Sequence, residues 1–153
     1  MSVLKSKRSE SKAEFVNTAN KIYAGTVGFV SRMSSRYSRL LATDTMRLAS
    51  EVLDNAEQAD SIFPSDTVRS DARERHLIEA RASLMALDVH LAHCYNIMTQ
   101  NPSGCFEKGS GGCVDAASAK RRLDNMAQNL GELIDRENGY LTSILKSDQK
   151  RKK

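Results

Sequence analysis

Residues 77–98 read LIEARASLMALDVHLAHCYNIM, and this stretch decides the fold. Leu77, Ala80, Leu84, Leu87, Leu91, Cys94 and Met98 follow one another by steps of three and four without a miss. That is the spacing of a helix with one apolar face turned to a bundle core. Two prolines bound it. Upstream, Phe63-Pro64-Ser65-Asp66 reads as a turn with a helix start behind it. Downstream, Asn101-Pro102-Ser103-Gly104 is a break, and Gly109, Ser110, Gly111 and Gly112 make residues 102–114 a flexible glycine-rich loop.

Outside this stretch the chain is almost free of breakers. Between Ser11 and Leu41, the residues Phe15, Ala19, Ile22, Thr26, Phe29, Met33, Tyr37 and Leu40 define one helical face, so a first helix is expected there. Ala42-Thr43-Asp44 offers a cap and a restart, followed by a second helix on Met46, Ala49, Val52, Leu53, Ala56 and Ala59, ending near Ile62. Asp115 is a candidate N-cap for a fourth helix carrying Leu123, Met126, Leu130, Leu133, Leu141 and Ile144. No alternating β-branched run suggests a strand. The expected fold is all-α, an antiparallel up-down four-helix bundle over residues 11–147. A basic N-terminal arm (1–10) and a basic tail (148–153) flank it.

The chain has 153 residues, 40% hydrophobic and 27% charged, a globular composition of single-domain size. No apolar run approaches the roughly 18 residues of a membrane helix, so no membrane partner is expected. The N-terminus has no apolar signal-peptide core. Three cysteines without paired spacing suit a reducing cytoplasm.

Charge is unevenly placed. Residues 1–41 carry a net +6, residues 42–66 a net −5, residues 67–145 a net −1 and residues 146–153 a net +4. Basic ends can contact phosphates through counterion release, or simply keep a protein in solution. Arg32, Arg36 and Arg39, spaced four and three, would project together from the first helix, with Lys21, Gly25 and Gly28 on the same side. Such a bare basic face invites a phosphate backbone or a neighbouring subunit. The competing reading is a solvated face paired with the acidic second helix. Lys120-Arg121-Arg122 opens the fourth helix, where cations oppose the helix dipole. A nucleic-acid contact would explain that cluster, and so would solubility. Aromatic residues lie mostly near the core, so any nucleic-acid binding should be backbone-driven and salt-sensitive.

Catalytic chemistry finds little footing. His90 and Cys94 share a helical face, but two ligands on one helix are not a metal site, and no carboxylate precedes a histidine by three. Cys105 and Cys113 match no zinc or redox motif. The glycine loop lacks the strand and the Gly-Lys-Ser/Thr of a nucleotide loop. No metal, cofactor or enzymatic activity is expected.

The chain resembles the small basic four-helix-bundle proteins of bacteria and phages. These include the accessory variability determinant (Avd) proteins of diversity-generating retroelements and the bundle proteins encoded in ribosomal RNA intervening sequences. The likeness spans roughly residues 11–147. It rests on Arg32-x-x-x-Arg36-Tyr37, Ala49-x-x-Val52-Leu53, Leu84-x-x-Leu87-Asp88-x-x-Leu91, Leu130-Gly131-x-Leu133-Ile134 and the basic tail. The resemblance implies a barrel-shaped homopentamer that binds the retroelement reverse transcriptase and RNA or an RNA–DNA hybrid. It implies support for cDNA synthesis from template RNA without catalytic residues of its own. The binding residues expected on this reading are Lys21, Arg32, Arg36, Arg39, Lys120, Arg121 and Arg122. The 102–114 loop and the N-terminal arm depart from the family pattern. The alternative is a helical scaffold or protein-interaction module without nucleic-acid affinity.

Overall fold

Stretches of apolar residues at helical spacing bury one stripe each, and here four such stripes share one core. The computed structural model describes residues 13–106 and 114–152. It holds four long helices: α1 (Glu14–Val30), α2 (Ser35–Ser61), α3 (Thr67–Met98) and α4 (Ala116–Arg151). A short 3-10 turn, Pro102–Phe106, follows α3. Among the described residues there is no strand. The expected N-terminal arm (1–10) lies outside the described residues.

α3 buries the seven residues its spacing picks out, Leu77 through Met98. Its start is capped as the sequence suggests. The Asp66 carboxylate accepts from the Arg69 amide at 2.8 Å, which satisfies one of the free first-turn donors. Asp115 does the same for α4, accepting from the Ser118 amide at 2.9 Å. Contacts along α3 fix its neighbours. Against α2, Cys94 meets Thr45, Ser83 meets Glu51 and His76 meets Asn55. Against α4, Tyr95 meets Asp124, Arg81 meets Asn138 and Arg73 meets Asp148. In both series the partner number falls as the α3 number rises.

Arg73 ties three helices together. Its Nε donates to Asp148 at 2.7 Å, and one terminal nitrogen donates to the carbonyls of Ala59 and Ile62 at the end of α2. The pair is largely covered, with side chains 16% and 13% exposed. Lys152 adds ion pairs to Asp71 and Glu74. The expected basic tail (148–153) begins inside α4. α4 runs to Arg151, and Lys152 is held against α3.

The first two helices divide differently from the expectation. The single helix expected over 11–41 breaks at Ser31–Ser34, and the expected restart at Ala42-Thr43-Asp44 lies inside α2. The serines explain the break, because their hydroxyls compete for backbone groups. The Ser31 hydroxyl donates to the Gly28 carbonyl at 2.9 Å. Met33 in the same turn is buried and plugs the end of the core. α2 continues unbroken through 42–44, where the buried Thr45 hydroxyl donates to the Leu41 carbonyl one turn back. Tyr37 and Leu40 thus leave the α1 face, and Leu40 is 69% exposed.

Two glycines on α1 behave differently. A Cβ on Gly25 would lie 2.8 Å from Leu130 Cδ2, so this glycine lets α1 and α4 approach closely, whereas a Cβ on Gly28 would meet nothing. Gly28→Ala should stabilise by about 0.5–1 kcal/mol through helix propensity. Gly25→Ala should gain less, or lose, because Leu130 must move. Urea unfolding of both variants checks this, and equal gains would mean that α1 and α4 do not touch there.

Glu137 on α4 is wholly buried, and among the described residues neither carboxylate oxygen has a hydrogen-bond partner. Burial pushes its carboxyl from the ordinary 4.5 up to about 8. Below the ordinary value both states hold the proton. Above it the unfolded chain releases the proton while the folded chain keeps it until about pH 8. Stability from this group therefore declines across that window, by roughly 4–5 kcal/mol at most. The advantage of Glu137→Gln over wild type should be larger at pH 8 than at pH 5 in thermal melts. A difference independent of pH would show that Glu137 ionises normally in the fold.

Candidate nucleic-acid interface

Positive charge gathers at the end of the bundle where α1 stops, α2 starts and the 3-10 turn precedes α4. Arg32 lies in the turn after α1 and is exposed. Its guanidinium carbon sits 4.9 Å from the centre of the Phe106 ring. Arg122, on the second turn of α4, approaches the same ring at 5.5 Å. Two cations therefore converge on one buried aromatic side chain, an attraction of about 0.5–1 kcal/mol each at exposed sites. Among the described residues no carboxylate lies within ion-pair distance of Arg32 or Arg122.

Arg36 and Arg39 project from the first two turns of α2, exposed and also without an acidic ion-pair partner among the described residues. With Ser35 and Leu40 they line a shallow surface depression. The N-cap residue, Ser34, makes no side-chain bond to the first amides of α2, and the first turn holds no acidic residue. Free amides at the positive end of a helix dipole beside two guanidiniums favour an anion.

The structure corrects three expectations about these residues. Arg32, Arg36 and Arg39 do not form one stripe on one helix, because the Ser31–Ser34 turn separates Arg32 from the other two. Lys21 is exposed on α1, nine residues and about 13 Å before its end, and no contact brings it to the arginines. Gly25 does not face outward from a bare basic surface but faces Leu130 of α4.

Lys120, Arg121 and Arg122 also separate. Lys120 pairs with Asp124 at 2.9 Å. The Tyr95 hydroxyl donates to the same carboxylate. Tyr95 and then Lys120 hold the Asp124 carboxyl below its ordinary value, and Asp124 raises the Lys120 ammonium. Arg121 reaches the Ser118 hydroxyl at 3.5 Å. Only Arg122 joins the cluster on Phe106.

Among the described residues no ion pair joins Arg32, Arg36 or Arg39 to an acidic residue of α2. Arg47 absorbs Glu51 at 2.6 Å and Asp44 at 4.0 Å within α2 itself. Phe106 is the member of this site that the sequence reading missed. It sits in the segment assigned to a flexible loop, yet Cys105 and Phe106 are both buried. A lone aromatic beside Pro and Gly was the available signal. Burial raises the Cys105 thiol, with Arg32 opposing. Cys113 and residues 107–113 lie outside the described residues. Cys94 is buried beside Thr45 at 3.6 Å, and among the described residues no three His, Cys, Asp or Glu gather as a metal group.

No helix is long and apolar enough to cross a membrane among the described residues. No protein-family model, curated protein or solved structure matches the chain.

Asp124→Asn leaves the Tyr95 contact possible and removes the charge that neutralises Lys120. Binding to single-stranded RNA should then steepen in its log–log salt dependence by about 0.7, one added phosphate contact. Fluorescence anisotropy across a salt series measures it. An unchanged slope would place Lys120 outside the binding surface.

Proposed function

We propose that this chain is a non-enzymatic, homo-oligomeric nucleic-acid-binding accessory protein of a diversity-generating retroelement reverse transcriptase, working in the cytoplasm. It supports cDNA synthesis by holding template RNA or the RNA–DNA hybrid. The four helices are read as an antiparallel up-down bundle whose core supplies rigidity. One observation carries the proposal: Arg32, Arg36, Arg39 and Arg122 stand exposed at one end of the bundle without acidic ion-pair partners among the described residues. Unpaired guanidiniums keep their full value for phosphate, which they bind bidentately. The resemblance to Avd-like proteins adds the reverse transcriptase as partner and a pentameric ring. A ring multiplies a modest basic end into an avid one.

The mechanism is electrostatic. Phe106 lies under two guanidiniums and Tyr95 is held by Asp124, so neither is presented for base stacking. Contacts go to phosphates, with little reading of sequence. The alternative, a helical scaffold without nucleic-acid affinity, draws on a different observation, an exposed apolar stripe on α3.

The deciding experiment is binding of single-stranded RNA and an RNA–DNA hybrid between about 50 and 200 mM salt. The Arg32→Ala/Arg36→Ala/Arg39→Ala variant should bind more weakly, with a salt slope lower by about 2 for single strands. Binding absent at low salt would turn the reading to the scaffold. Binding equal in the variant would remove the arginine end as the site. Capture of the reverse transcriptase and its cDNA yield with and without this chain then test the partner.

A further inference from the structure

α3 is apolar on two sides. Its core face is occupied by the seven buried residues from Leu77 to Met98. On the other side Ile78, Met85 and Val89 are 51%, 39% and 55% exposed, with exposed Ala82 between them. At 100° per residue these four fall within about 60° and lie opposite the core face. A helix that only lines a bundle core carries polar residues there. The spacing 78, 82, 85, 89 is the alternating four-three step of a coiled-coil seam.

We propose that this stripe binds a second copy of the same chain, with α3 of one protomer packed antiparallel on α3 of its partner about a two-fold axis near residues 83 and 84. Self-complementarity selects this occupant. In that register Ile78 packs on the partner's Val89, and Ala82 on the partner's Met85, so each small residue meets a large one. The two-fold repeats both layers. The same register brings Arg81 to Asp88 of the partner subunit on the flank of the seam, and symmetry forms that ion pair twice. Within one chain both groups are available. Arg81 donates its Nε to Asn138 at 3.0 Å, which leaves its terminal nitrogens, and Asp88 has no ion-pair partner among the described residues. A parallel pairing would stack Ala82 on Ala82 and would leave both charges unmatched. The seam covers about three turns, at the small end of specific interfaces, so the association should depend on concentration.

This contact is separate from the pentameric ring of the proposed function and uses none of Arg32, Arg36, Arg39 and Arg122. An isologous contact gives even-numbered assemblies: a dimer, or two rings joined back to back. Light scattering on the full chain up to about 100 μM should give an even multiple of the 16.9 kDa chain mass. Met85→Glu, at an exposed site, should keep its helical circular dichroism and weaken association at least tenfold. Arg81→Asp should weaken it too, and Arg81→Asp/Asp88→Arg should restore it, because the pair reforms with reversed sign. A monomer at every concentration, an assembly unaffected by Met85→Glu, or a double variant no better than Arg81→Asp would each overturn the proposal. RNA binding measured on Met85→Glu at low protein concentration reads the arginine end separately.

Discussion

Between Val30 and Ser35 the chain leaves one helix and enters another, and the placement of its free positive charge depends on that turn. The turn is built from residues that accept departure from helical geometry. Ser31 bonds back to Gly28, and Met33 closes the core beneath. Were α1 continuous to Leu41, the three arginines would line a helix side near the acidic middle of the chain. The break instead leaves Arg32 over Phe106 and starts α2 with Arg36 and Arg39. The acidic residues of α2 follow further along, where Arg47 takes up two of them. Charge is thereby sorted along the bundle axis.

The turn works because α3 fixes everything around it. α3 touches both α2 and α4 along its length, and its seven buried residues are contributed at every turn. At about 25 cal/mol per Å² of apolar area, a buried leucine stabilises by roughly 2 kcal/mol, so the three fully buried leucines of α3, Leu77, Leu84 and Leu87, outweigh any local preference at the ends. Arg73 and Lys152 then fasten the far end, where the α2 carbonyls, Asp148, Asp71 and Glu74 converge. The two ends differ in kind. At one, Arg73 and Lys152 are ion-paired; at the other, Arg32, Arg36, Arg39 and Arg122 have no ion-pair partner among the described residues.

This contrast explains what could be read from the chain. Periodicity marks residues that face a core, so α3 was legible residue by residue, and Asp66 and Asp115 were legible as caps because their chemistry is local. A helix-to-helix turn inside a continuous apolar pattern is not local. Phe29, Met33 and Tyr37 keep helical spacing across the break, since a core accepts side chains from a turn as readily as from a helix. The cluster Ser31, Ser34 and Ser35 was the weaker, competing signal. Pairing was equally hidden. Lys120 and Arg122 look alike in sequence, and only the fold brings Asp124 to one and Phe106 to the other. Glu137 sits where the α4 pattern calls for an apolar residue, and spacing alone gives no sign that a carboxyl is buried there.

Free and paired cations also differ in what they can recognise. A lysine already bonded to a carboxylate must break that bond to meet a phosphate, and the gain is the small difference between two similar contacts. A guanidinium resting on an aromatic ring keeps its in-plane donors and gives up only a weak face contact. Arg32 and Arg122 are of the second kind, and the ring beneath them limits where they can swing. The result is a pre-positioned pair of forks beside the uncapped start of α2. Such an end offers an anion guanidinium donors together with the uncapped first amides of α2.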